Sequence, residues 1–150
     1  MSARGAARDS RRYPPRPILG VGAIIVESDR VLLVERGKAP LEGWWSLPGG
    51  AVETGETLEV GIRREVLEET GLVVRPARVV EIFERIMHDA EGRVEYHYVL
   101  IDYLCHVESG RAAPASDVSQ AVWVPRQELA GYRITEGTLA VIDKALREIS

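Results

Sequence analysis

The chain of 150 residues holds one cysteine, Cys105, and one phenylalanine, Phe83. A lone thiol excludes an intramolecular disulfide and a thiolate metal site. Cys105 lies in an apolar run, which predicts a buried thiol that only packs. His88, His97 and His106 stand at no metal-ligand spacing and read as ordinary strand or turn residues. No run of about 18 apolar residues occurs, so no membrane span is expected. The N-terminal segment carries charge but no apolar core, so no secretory signal is read there and a cytoplasmic protein is the expectation. A basic surplus is also missing. Lys and Arg number 19 against 23 Asp and Glu, a net charge of −4, which argues against a nucleic-acid partner.

What is present suits one globular domain: an ordinary length and an apolar fraction of 45%. Residues 1–12, MSARGAARDSRR, are small, polar and basic without periodicity, and predict a mobile tail. Residues 13–150 are read as the single domain, entered through an extended, proline-fixed stretch from Tyr13 to Pro17. Ile18–Glu27 and Val31–Glu35 are β-branched runs joined by a short link, which predicts a hairpin. Gly20 and Gly22 fall inside the first run and mark a bulge or a close approach. A short strand is expected at Trp44–Leu47, with its tryptophans in packing roles. Further strands are expected near 73–75, 78–87, 94–106 and 120–125. The 94–106 strand is apolar on both sides and reads as central. A closing helix is expected over 135–149, with Leu139, Ile142, Leu146 and Ile149 as its core stripe.

The densest chemistry lies between Gly50 and Leu72, GAVETGETLEVGIRREVLEETGL. Leu47-Pro48-Gly49-Gly50 ends an apolar run and permits an unusual turn. Thr57 is a candidate N-cap, and Leu58, Ile62 and Val66 recur as a helix core face. Gly71 suits the left-handed position past the helix end. Glu65, Glu68 and Glu69 then share one face at i, i+3 and i+4. Like charges at that spacing repel, and no lysine lies within a turn on that face. A hard divalent cation relieves the repulsion and uses the oxygens as ligands.

Gly50, five residues, Glu56, seven residues, then Arg64-Glu65-Val66-Leu67-Glu68-Glu69-Thr70-Gly71-Leu72 resembles the Nudix box, with no departure at its fixed positions. The resemblance implies an α/β fold, the Nudix-type α/β/α sandwich with a mixed sheet between helices. It also implies a hydrolase of nucleoside diphosphates linked to another group, with Mg²⁺ or Mn²⁺ as cofactor. Glu65, Glu68 and Glu69 supply the metal-binding face, with Glu56 and the Gly49 carbonyl at its edge. Arg64 is read as an ion-pair partner that orients a box glutamate. The general base is Glu65 or a residue outside the box; Asp117, on the loop before Val122-Trp123-Val124, leads the outside candidates over Glu91, Glu95 and Glu136. Arg36 and Lys38 are candidates for a substrate phosphate.

The implied partner is a nucleotide-type small molecule, and a homodimer is left open. Segments such as RYPPRP, GWWSLPGG and HYVLIDYLC resemble the ADP-ribose pyrophosphatase type, so ADP-ribose or a related dinucleotide leads. A triphosphate pyrophosphatase acting on oxidised guanine nucleotides is second. A non-catalytic nucleotide-sensing regulator is the reading from another class, disfavoured by the full set of box carboxylates.

Overall fold

The computed structural model describes residues 11–149. Its strands are β1 (Ile18–Glu27), β2 (Arg30–Arg36), β3 (Trp45–Ser46), β4 (Gly49–Ala51), β5 (Val73–His88), β6 (Val94–Ser109) and β7 (Val118–Pro125). Helix α1 spans Leu58–Thr70 and α2 spans Thr138–Ile149, with a 3-10 helix at Arg126–Gly131.

The strands form one seven-stranded mixed sheet in the order β3-β2-β1-β6-β5, with β4 paired to β1 and β7 to β2. β1 runs parallel to β6, and β6 is antiparallel to β5. Alternation along β1 serves two layers. Val21, Ala23 and Ile25 join Ile62 and Val66 of α1, while Ile24 joins Val141, Ile142, Ala145 and Leu146 of α2. A helix therefore covers each face, which is the α/β/α sandwich.

Local chemistry explains the helix that matters most. The Thr57 hydroxyl accepts from the Val60 amide at 3.1 Å and starts α1. Gly71 ends it in the left-handed region at φ 77°, its amide donating to the Leu67 carbonyl. Ile62 and Val66 are fully buried on the face the spacing predicts.

The expectations for β5 and α2 need correction. Residues 73–88 form one continuous strand, not two. Pro76 falls at a register shift, and β5 is an edge strand, where a missing N–H breaks no ladder. The stripe on α2 is rotated: Val141, Ile142, Ala145 and Leu146 are buried, while Leu139 and Ile149 are exposed. Val141 and Ala145 lie one turn apart and extend the Ile142–Leu146 pair, so the apolar centre sits between those rows. Of the two readings of Gly20 and Gly22 the close approach holds and the bulge does not: they make room for Leu100 and Asp102 of the neighbouring β6.

Most of the expected tail, residues 1–10, lies outside the described residues. Its last two residues are engaged with the fold. Arg12 pairs with Glu95 at 2.7 Å, and Arg11 lines the central cavity. Tyr13 is not extended: φ is 53°. Its hydroxyl donates to Asp89 at 2.6 Å, its amide donates to the Glu95 carbonyl at 2.7 Å, and the Arg93 guanidinium lies 5.0 Å from its ring centre.

Candidate active site

The site is built where β4 meets α1. Gly49 approaches β1 so closely that a methyl group there would overlap the Val21 carbonyl, and one at Gly50 would overlap the Glu65 carboxylate. Two glycines in succession therefore let the helix set its carboxylates against the strand. The Gly49 amide donates to Glu69 Oε1 at 3.0 Å.

Arg64 ties the loop to the helix. Its Nε and Nη2 donate to Glu56 at 2.6 and 2.9 Å, and Nη2 also reaches the Ala51 carbonyl at 3.1 Å. Its Nη1 donates to Glu65 at 2.9 Å and Glu68 at 3.1 Å. This guanidinium holds Glu56 well below the usual carboxylate range, at about 2. Glu56 is thereby committed to Arg64 and to the Glu53 amide at 2.8 Å.

The electrostatic strain inferred from spacing lies elsewhere than expected. Arg64 sits between Glu65 and Glu68 and offsets their repulsion. Glu68 is half-exposed, so water also screens it. Glu69 has neither relief. It is 9% exposed, has no ion pair among the described residues, and burial pushes it up to about 8. Burial also raises Glu65, against the pull of Arg64.

The box opens into a cavity of about 350 Å³, within the range of small-molecule sites. Glu65, Glu68, Glu69 and Arg64 line it, together with Arg36, Lys38 and Asp117. Lys38 pairs with Asp117 at 3.0 Å, and Arg36 Nε donates to the Pro40 carbonyl at 2.6 Å. Gly49, Arg64, Glu65, Glu68, Glu69, Arg36, Lys38 and Asp117 therefore border one space, while Glu56 and the weaker candidates Glu91, Glu95 and Glu136 lie outside its lining. Glu91 stands in the β5–β6 turn with a largely exposed side chain. Asp117→Asn should therefore reduce turnover several-fold more than Glu91→Gln. Equal, small effects in a steady-state assay would remove Asp117 from the site.

The tryptophans stay out of the cavity lining. Trp45 packs edge-on against Tyr132 at 5.0 Å, and Arg133 lies 4.2 Å above Trp44. The same cavity is also lined by residues that sequence reasoning missed: Asp102, Arg85, Tyr98 and Phe83. The available signal was Asp102 itself, a carboxylate inside an apolar strand read as central.

The donors fit a hard divalent cation, being carboxylate and carbonyl oxygens only, and Glu69 has no ion pair among the described residues. Among the described residues no three His, Cys, Asp or Glu side chains are drawn together as a metal cluster; Glu65 and Glu68 are bonded to Arg64, and Glu69 to the Gly49 amide.

The family model described as the NUDIX domain matches residues 16–144. The chain belongs to this family and is a Nudix hydrolase. It is 32% identical over 116 residues to an ADP-ribose pyrophosphatase of Methanocaldococcus jannaschii, covering 76% of this chain and 66% of that protein. It is 30% identical over 124 residues to a human 8-oxo-dGDP phosphatase, covering 77% of this chain but 37% of the human protein. Among solved structures, a MutT NUDIX hydrolase from Burkholderia pseudomallei superposes with a TM-score of 0.76 at 30% identity, over 86% of this chain and 98% of that one.

Proposed function

We propose that this hydrolase cleaves the diphosphate bond of a nucleoside diphosphate derivative, with Mg²⁺ or Mn²⁺ held by Glu65, Glu68, Glu69 and the Gly49 carbonyl. ADP-ribose or a related dinucleotide is the first candidate, supported by the archaeal relative. The observation that carries the reaction class is that desolvated Glu65 and Glu69 line the same cavity as the cationic Arg36 and Lys38. A bound divalent cation supplies charge neutralisation and an acidified water. Arg36 and Lys38 hold the phosphates. Arg64 keeps Glu65 aimed by its 2.9 Å bond. Glu65, raised by burial, is the better proton acceptor of the two candidate bases, and Asp117 in the same lining is the other. An oxidised guanine nucleotide is the second reading; the human relative favours it.

The test is a substrate panel with Mg²⁺ or Mn²⁺, followed by chromatography of the phosphate products. It contains ADP-ribose, NADH, diadenosine polyphosphates, and common and oxidised guanine nucleotides. At least one substrate should be cleaved, and EDTA should abolish the turnover. Turnover indifferent to chelation would overturn the metal-dependent reading.

A further inference from the structure

Arg11 precedes the first strand, yet it lines the same cavity as the box glutamates, Arg36 and Lys38. It is exposed, and among the described residues it makes no hydrogen bond, ion pair or ring contact. Lys38 is paired with Asp117, but Arg36 has no ion pair among the described residues; its Nε donates to the Pro40 carbonyl. Burial is the main cause that lowers Arg36, and the charge of Arg11 adds to it. The two guanidiniums are therefore close enough to repel. The charge of Arg11 also reaches Glu65, against the larger effect of burial, without an ion pair forming. Cations gathered in one space without a counter-charge are relieved by an anion.

The segment is fixed rather than loosely laid on the surface. Arg12 pairs with Glu95 at 2.7 Å, the Tyr13 hydroxyl donates to Asp89 at 2.6 Å, and the Tyr13 amide donates to the Glu95 carbonyl at 2.7 Å. The guanidiniums of Arg12 and Arg93 lie 5.2 and 5.0 Å from the Tyr13 ring centre. Tyr13 keeps φ at 53°, a left-handed conformation that is costly for a bulky residue and persists only where its surroundings impose it. Such strain clusters at functional segments. Arg12 and Tyr13 thus latch onto the β5–β6 turn, and the residue next to the latch stands at the cavity.

We propose that Arg11 is a substrate-binding residue that donates to a phosphate oxygen of the substrate, placed there by the Arg12–Tyr13 latch. This rests on the reading above that the cavity holds a nucleoside diphosphate derivative. A guanidinium meets a phosphate with two parallel N–H donors and needs no proton transfer to do so.

Calorimetric titration in EDTA with ADP-ribose, ADP, GDP and adenosine tests this without turnover. Arg11→Ala should weaken the diphosphates that wild type binds at least about tenfold, the scale of a hydrogen bond to a charged group. Adenosine carries no phosphate and should not distinguish the two proteins. Arg11→Lys should recover part of the loss, since it keeps the charge without the fork. Without ligand, Arg11→Ala should melt with wild type, because it breaks no contact of the fold. Tyr13→Phe removes the bond to Asp89 and should weaken the diphosphates severalfold. Added to Arg11→Ala it should cost nothing more, because the latch acts through Arg11. With metal, KM for the best panel substrate should rise more than kcat falls. A loss that extends to adenosine overturns the phosphate assignment, and an additive loss in the double variant overturns the latch. If the panel is cleaved while Arg11→Ala changes neither diphosphate binding nor KM, Arg11 is a surface cation and the hydrolase reading stands. If no diphosphate binds and no panel member is cleaved, both fail.

Discussion

Glu69→Gln should melt above wild type in EDTA at pH 8, and should lose roughly 10²-fold or more in turnover, the scale of one electrostatic contact in a transition state. The two effects have one cause. Glu69 is buried beside Glu65 with a single backbone donor, and its carboxyl is raised to about 8 from 4.5. The folded state therefore binds more protons than the unfolded state between those values. By linkage, stability falls as pH rises through that window. The penalty is absent below about pH 4.5 and complete above about pH 8. Glutamine is neutral throughout and keeps an oxygen for the Gly49 amide, so it escapes the penalty. Its advantage over wild type should be larger at pH 8 than at pH 5. Mg²⁺ should then raise the wild-type melting temperature more than the variant's, because a ligand specific to the folded state stabilises it. Thermal melts at both pH values, with and without Mg²⁺, decide the matter. A variant that melts well below wild type in EDTA at pH 8 would make Glu69 a structural residue. Unchanged turnover would remove it from the site.

Arg64→Ala has the opposite signature: it should lower stability and activity together. One guanidinium joins Glu56, Glu65, Glu68 and the Ala51 carbonyl. Alanine leaves Glu56 and Glu65 without their charge partner and frees the loop from the helix. The loss of melting temperature should depend on pH. Glu56 is depressed to about 2 in the fold, so its pairing with Arg64 stabilises above the unfolded value near 4.5 and fades as pH falls toward 2. The gap between wild type and variant should thus be several degrees at pH 7 and smaller at pH 3. Lysine should rescue little, since it lacks the planar fork that serves two carboxylates at once. Melting at the wild-type temperature with full turnover would reduce Arg64 to a surface cation.

These effects show how far the sequence reaches. Everything set by local spacing could be read from it: the Thr57 cap, the Gly71 stop, the Ile62–Val66 core face and the shared face of Glu65, Glu68 and Glu69. Helix geometry alone places residues three and four apart together. The same rule could not say which glutamate carries the strain. That depends on β4, which buries Glu69 against Gly49 and leaves Glu68 half in water, while Arg64 reaches across to Glu56. The α2 stripe was misplaced for a related reason, since periodicity allows neighbouring rotations and only packing on the sheet selects one.

The part of the cavity lining outside the box was out of reach altogether. Gly22 and Asp102 lie on strands far apart in sequence, and no local pattern announces that one lacks a side chain where the other needs space. Arg85 arrives from β5 and Arg11 from the segment before β1. Their convergence follows from strand order and register, which are fixed by long-range pairing rather than by the spacing of neighbours along the chain.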